Sequence, residues 1–404
     1  MPLRFLTAGE SHGPALSGIV EGMPAGVKVD VERINHFLAL RQAGYGRGGR
    51  MKIETDKIAV TAGVRRGITL GSPVGFTLVN RDYANWAAIM NPEPDETAIP
   101  AEALPQKLRP KHTPRPGHAD LAGALKYGER DVRNILERAS ARETAARVAA
   151  CSFPRLLLEQ VGVSFASHVV QIGGIRLDTT PDFDQIALEA PRSDVRCVDE
   201  QTAARMRAEV DRAREEGDTV GGTVEIRVRN LPAGLGRFSQ GAARLSARLA
   251  GALMSIPAAK GVEIGDGFSL AGRRGSTAHD EIYFDPEAPR NDRRFGFRRY
   301  TNRAGGLEGG ITNGEELLMR LASKPLSTLM QPLGSVDLVT KQPSPALVER
   351  SDVCAVPPYC IIAEMVSAWV LADALLEKFG ADTTAEIARN LEAFLQRRSE
   401  GGNA

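Results

Sequence analysis

Nothing in these 404 residues separates one part of the chain from another. The sequence has no tandem repeat and no low-complexity linker, and strand-like and helix-like segments interleave along it. A sheet hides a face and a helix hides a stripe, so segments that alternate without a break must bury those surfaces against one another. The reading is one large α/β or α+β unit over residues 1–398, with a tail, 399–404, expected to be disordered. A chain of this length buries a large core without staples.

Apolar or alternating runs predict strands at 3–7, 17–20, 27–31, 58–64, 73–79, 163–172 and 220–228, and a short strand with a turn at 260–268. Helices are predicted at 31–40 behind an Asp30 cap, over most of 119–158 with a break at Pro154, and at 200–216 and 241–254. A further amphipathic helix is predicted at 365–378, ended by Gly380. Residues 80–117 form a Pro-dense loop of a length that in compact proteins usually serves function.

The formal net charge of +1 argues against a dedicated nucleic-acid binder. Cys151, Cys197, Cys354 and Cys360 form no C-x-x-C pair and none lies near a His at zinc spacing, so no metal site is expected. They read as buried thiols of a reducing compartment. The N-terminus lacks a signal peptide's apolar region and cleavage site, and the best apolar run, 361–376, carries Glu364 and Asp373. A cytoplasmic protein without a membrane span is expected.

Gly9-Glu10-Ser11-His12-Gly13 matches G-x-S-x-G, the nucleophile elbow of serine hydrolases. That elbow needs a helix directly after the serine. Here Pro14 and a β-rich run follow, and only ten residues precede Ser11 to supply an oxyanion donor. The alternative is a glycine-flanked loop that brings Ser11 and His12 close to a ligand.

Arg41, Arg47 and Arg50 surround a glycine loop, Gly44 to Gly49, suited to a phosphate-bearing small molecule or, less well, to nucleic acid. Arg115-Pro-Gly-His118-Ala-Asp120 puts a histidine at a helix start, behind a long Pro-rich loop that resembles an active-site cover, with a carboxylate in the first turn that by itself reads as a cap. Residues 138–150 set Arg138, Arg142, Glu143 and Arg147 among small residues that allow close approach. The glycines of 304–314 are not a dinucleotide fingerprint and read as backbone lining a flat or phosphate-bearing ligand. Lys324 to Thr328 offers a cation and two hydroxyls, and Arg350 and Asp352 share a later loop.

Together these stretches resemble the chorismate synthase family. GESHG, R-Q-x-G-Y-G-R-G-x-R-M, RPGHAD, RASARET, KGVEIGDGF, NRAGG-x-x-GG and RSDVCAVP occur in the family's order, and the likeness runs from about residue 3 to about residue 380. The resemblance implies an antiparallel β–α–β sandwich that assembles as a homotetramer. It implies anti-1,4 elimination of phosphate from 5-enolpyruvylshikimate 3-phosphate to give chorismate, the last shikimate-pathway step. Reduced FMN is required without net redox change.

By family correspondence His12 would protonate or neutralise the leaving phosphate, His118 would act on reduced FMN, and Asp352 would help remove the ring proton. Ser11, Arg41 and Arg47 would meet substrate or an NADPH phosphate, with Arg350 a further clamp. FMN would contact Arg138, Ala139, Ser140, Pro257, Ala258, Gly309, Arg350 and the run Lys324, Pro325, Leu326, Ser327 and Thr328. NADPH would act only indirectly, with the flavin reduced by a separate flavin reductase. Four positions depart from the pattern: Glu137 stands where many members have Gly, Pro257 where an amide is common, Ser351 where others have His, and Val353 where others have Pro. A serine hydrolase built on Ser11 and a nucleic-acid binder built on the Arg/Gly loops are the competing readings. Neither accounts for all seven stretches.

Overall fold

The computed structural model describes residues 2–48, 55–93, 103–289, 291–349 and 352–396. Arg50, Arg350, Ser351 and the expected tail lie outside them.

Two antiparallel sheets enclose a layer of helices. The first contains β1 (Arg4–Ala8), β2 (Ala15–Glu21), β3 (Ile58–Ala62) and β4 (Val74–Val79), in the order β1-β2-β4-β3. Its inner face follows from alternation: Leu16 and Val20 on β2 and Val74, Phe76 and Leu78 on β4 are buried. The second contains β5 (Ser164–Ile172), β6 (Ile175–Arg176), β7 (Gly222–Arg229), β8 (Ala259–Ile264) and β9 (Leu317–Ser323), in the order β8-β9-β7-β5-β6.

Between the sheets lie α4 (Glu143–Gln160), which packs on β1 and β2, and α7 (Val356–Phe379), which packs on β5 and β7. The two helices pack on each other, and Ala145, Ala146, Ala149 and Ala150 of α4 are buried. This is the expected α+β arrangement, a β–α–β sandwich. Around it lie α1 (Val31–Gln42), α2 (Asp120–Tyr127), α3 (Arg133–Leu136), α5 (Glu200–Glu215), α6 (Leu245–Met254) and α8 (Thr384–Gln396).

Several local expectations change. Asp30 caps α1, accepting from the Arg33 amide at 3.1 Å, as expected. Residues 27–31 make one isolated bridge, Lys28 to Ile68, rather than a strand, because the Val27 and Lys28 amides donate to the Thr69 hydroxyl and the Gln160 side chain. Pro154 lies inside an unbroken α4, where burial on both flanks outweighs one lost backbone hydrogen bond. The breaks fall instead at Gly128, in a left-handed conformation, and over 137–142.

α7 begins nine residues earlier than expected, since Pro357 and Pro358 fit a first helical turn. It is also buried on all sides rather than amphipathic. At 24 residues it is long and apolar enough to span a membrane, contrary to the run-length reading, yet it is the core helix. Its Glu364 accepts from the Ser167 hydroxyl and, at 3.5 Å, from Arg155 Nη1.

Candidate functional site

Residues 9–14 join β1 to β2. Gly9 has φ +107°, and a Cβ there would stand 2.4 Å from the Ala15 carbonyl oxygen, so this turn requires glycine. It carries Ser11 and His12 to the corner between α3 and α4. The Ser11 amide donates to the Glu137 carbonyl at 3.0 Å. The His12 amide donates to Glu137 Oε2 at 3.0 Å, and His12 Nδ1 lies 2.9 and 2.8 Å from the two carboxylate oxygens. Asn80 Nδ2 secures the other side of the loop, donating to the carbonyls of Ser11 (3.3 Å) and Gly13 (2.8 Å).

Trp86, from the long loop, lies face-on to the His12 ring with centroids 3.8 Å apart. Arg133, one helical turn before Glu137, donates to Oε1 at 3.3 Å. Burial pushes the Glu137 carboxyl up, but the hydrogen bond and charge of His12 and the charge of Arg133 outweigh it, and the group is held below its ordinary value. A cavity of about 480 Å³ adjoins this pair, lined in part by Glu10, Met90, Leu108, Arg133 and Glu137.

His118 is held in the same manner. Its Nδ1 meets Asp120 Oδ1 at 2.5 Å. Arg115 grips that carboxylate through Nε to Oδ2 (2.9 Å) and Nη2 to Oδ1 (3.2 Å), and its Nη1 donates to the Thr328 hydroxyl at 2.9 Å. Arg115 Nη2 also comes within 3.1 Å of His118 Nδ1; the carboxylate assigns the Nδ1 proton to the histidine. Asp120 is fully buried. That burial pushes its carboxyl up, and the hydrogen bonds from His118 and Arg115 reverse the effect, holding it far below the usual range.

Contacts join the two histidine loops. The Thr7 hydroxyl donates to Glu143 Oε1 (3.3 Å), Arg147 bridges Glu143 and the Ser255 hydroxyl (2.8 Å), and the Lys324 amide donates to the Ala258 carbonyl (3.0 Å). Lys324 Nζ then donates to the Gly117 carbonyl, beside His118. Gly117 has φ +76°, and a Cβ there would come within 3.6 Å of both Lys324 Nζ and Ser327 Oγ. Burial, and then the charge of Lys260, push the Lys324 ammonium down. On the other flank Arg47 Nη1 pairs with Asp352 Oδ2 at 2.7 Å, and the Gly48 amide donates to Oδ1 at 2.6 Å.

Other sequence-selected residues fall as follows. Arg138 donates to the Gly9 carbonyl (3.2 Å), the Thr7 carbonyl (2.8 Å) and the Thr7 hydroxyl (2.8 Å), bracing the His12 loop. Ala139 and Ser140 share its turn, and Pro257, Pro325 and Leu326 flank Ala258 and Lys324 in the chain. Arg41 turns inward: it is 4% exposed, with Nε on the Thr144 hydroxyl (2.8 Å), Nη2 on the Ala141 carbonyl (3.1 Å) and Nη1 3.5 Å from Asp56. Gly309 lies apart from Pro257. It sits in the hairpin whose Gly310 carbonyl accepts from Leu245 at the start of α6, whereas Pro257 follows the end of that 10-residue helix, about 15 Å away. Ser11 is 3% exposed and a strand, not a helix, follows its loop, so the elbow reading fails.

Sequence reasoning had noted Glu137 only as a departure and missed Trp86 and Arg133 altogether. It read Asp120 as a first-turn carboxylate or cap, and the Nδ1 contact makes it the partner of His118.

A family profile described as chorismate synthase matches residues 3–376. A chorismate synthase of Moorella thermoacetica is 53% identical over 398 residues, covering 98% of this chain and 100% of that protein. One of Geobacter metallireducens is 52% identical over 394 residues, covering 97% and 98%. A crystal structure of chorismate synthase superposes with a TM-score of 0.77 at 35% identity, covering 99% of each chain.

Proposed function

The chain belongs to the chorismate synthase family of lyases, and from that premise we propose that it converts 5-enolpyruvylshikimate 3-phosphate to chorismate by anti-1,4 elimination of phosphate and a ring proton, with reduced FMN bound. The observation that carries the reading is the pair of histidines, His12 and His118, each held through Nδ1 by a buried carboxylate and joined by loops rich in cations and hydroxyls. That is machinery for moving protons beside an anionic substrate.

The residues present fit FMN. Lys324 and Ser327 meet at Gly117, the Lys260 charge acts on Lys324, and an ammonium–hydroxyl donor set suits a phosphate dianion. Lys324 to Thr328, Ala258 and the Arg138–Ser140 turn would hold the cofactor. When bound, reduced FMN supplies electron density to the allylic system as the C–O bond breaks.

The chain's own groups do the rest. His12 presents a proton from Nε2 to the departing phosphate, lowering the cost of its charge. His118, fixed by Asp120, holds a proton at Nε2 on the cofactor side. Asp352 serves the proton-removal side, and Arg47 supplies charge for a substrate carboxylate or phosphate. The four free, buried cysteines suit a cytoplasmic enzyme. We further propose a homotetramer that receives its flavin already reduced, from a separate flavin reductase.

The deciding experiment is anaerobic: purified protein, chemically reduced FMN and 5-enolpyruvylshikimate 3-phosphate, with chorismate absorbance and phosphate followed together. Equal amounts of both products, dependent on reduced FMN, are expected. Absence of both, with substrate and flavin intact, would overturn the proposal.

A further inference from the structure

We infer that Glu137 is the positioning residue of His12: one carboxylate takes both the amide and Nδ1 of that histidine, so that Nε2 is the nitrogen turned toward the leaving phosphate. The inference rests on the proton-donor role proposed for His12.

The geometry leaves the ring little freedom. The amide contact (3.0 Å) and the two Nδ1 contacts (2.9 and 2.8 Å) fix both side-chain torsions of His12 from one side. Trp86 fixes the ring plane, 31° from its own at a 3.8 Å centroid separation. The carboxylate is itself held, because Arg133 Nη1 reaches Oε1 at 3.3 Å while the Arg133 guanidinium lies 5.5 Å from the centroid of Trp86. One arginine thus braces both the group that holds the ring's edge and the group that holds its face.

Burial makes the assignment chemical as well as geometric. The Glu137 side chain is 1% exposed, and an isolated carboxylate there would lose its hydration without replacement. Arg133 offsets one charge. Glu137, Arg133 and His12 together are therefore neutral with imidazole and carry one positive charge with imidazolium, which is the state that faces a departing phosphate. A carboxylate on Nδ1 also selects the proton position, since a neutral ring that donates from Nδ1 keeps its lone pair on Nε2. After proton delivery the ring is left in that tautomer, ready to be recharged at Nε2.

Two readouts separate this inference from the reading beneath it. The first is ¹⁵N NMR of the His12 imidazole in the intact protein without substrate, at a pH where the ring is neutral. Wild type is expected to hold the proton on Nδ1, and Glu137→Ala to move it toward Nε2. The second is steady-state turnover under the anaerobic conditions above. Glu137→Ala is expected to lower kcat by roughly 10²–10⁴-fold, the size of a lost acid–base contribution, with KM nearly unchanged. Glu137→Gln, which keeps the shape and an acceptor but not the charge, is expected to lose about 10-fold. An unchanged tautomer in Glu137→Ala, or wild-type kcat in Glu137→Gln while His12→Ala is impaired, overturns the inference alone. Wild-type kcat in His12→Ala removes the proton-donor role and the inference with it. Should Glu137→Ala fail to fold, Glu137→Gln decides by kcat.

Discussion

The Asp120 carboxylate, fully buried, takes His118 Nδ1 at 2.5 Å on one oxygen and Arg115 Nε at 2.9 Å on the other. Arg115 does for this pair what Arg133 does for Glu137 and His12. In each case an arginine neutralises a carboxylate that has no access to solvent, and the carboxylate orients a histidine. Replacing Asp120 by Asn preserves shape but removes the charge and lets an amide N–H face Nδ1. We predict that Asp120→Asn lowers kcat by about 10²-fold, within the range of an acid–base contribution. His118→Ala should lose at least as much. A near-wild-type kcat in Asp120→Asn would reduce the contact to a helix-start feature.

Lys324 carries the prediction for the cofactor. Its ammonium is partly desolvated, lies near Lys260 and is pushed down, so it stands to gain from an anion between the two lysines. Lys324→Ala should weaken FMN binding by about 10–100-fold, the loss of one charge-assisted hydrogen bond. The check is flavin fluorescence on titration with oxidised FMN, with no turnover required. Binding that does not change would move the phosphate away from Gly117.

Much of the sandwich was legible because alternation is local. The buried Leu16 and Val20 of β2 and Val74, Phe76 and Leu78 of β4 fall at a period of two. α8 was overlooked although Ile387, Leu391 and Leu395 recur on one face and the Thr383 hydroxyl accepts from the Glu386 amide at 3.1 Å; its signal was present. α7 was shortened because a helix buried on every side has no periodicity to mark its start. In the site, His12 and His118 stood out through their glycine-flanked motifs. Glu137 did not, since it meets His12 across 125 residues of chain, and no spacing rule spans that distance. Arg41 misled for the same reason. The residues that draw it inward, Ala141 and Thr144, lie about a hundred positions away.

That inward turn bears on nicotinamide chemistry. Arg41 was one of two cations suited to an NADPH phosphate. It is buried against Thr144, Ala141 and Asp56, and the other, Arg47, is the cation proposed for the substrate. A phosphate could reach Arg41 only by opening the packing around α1. We predict that the protein with oxidised FMN and NADPH, without substrate, gives no NADPH oxidation above the flavin-only rate. Robust oxidation followed at 340 nm would make the enzyme its own flavin reductase and overturn the proposed dependence on another one.

Acid stability turns on a network inside the second sheet. Glu225 on β7 accepts from Arg227 Nε at 2.7 Å and Arg320 Nε at 2.8 Å, with His168 Nε2 at 3.4 Å. Burial pushes this carboxyl up, but the hydrogen bond from His168 and the charges of Arg227, His168 and Arg320 prevail and lower it from 4.5 to about 2. A carboxylate with a lowered pKa in the folded state contributes stability that is fully present above its unfolded pKa and is lost as pH falls toward the folded one. The window therefore runs from about pH 4.5 down to about pH 2. At pH 7, Glu225→Gln should cost on the order of 3 kcal/mol, since it takes the counter-charge from half-buried Arg320 and leaves buried Arg227 with Glu316 alone, at 3.0 Å. As the pH falls through that window, the wild-type denaturant midpoint should drop toward that of the variant, because protonation removes the same charge the substitution does. Midpoints that decline in parallel, keeping a constant gap from pH 7 to pH 2.5, would show that Glu225 does not govern the acid limb.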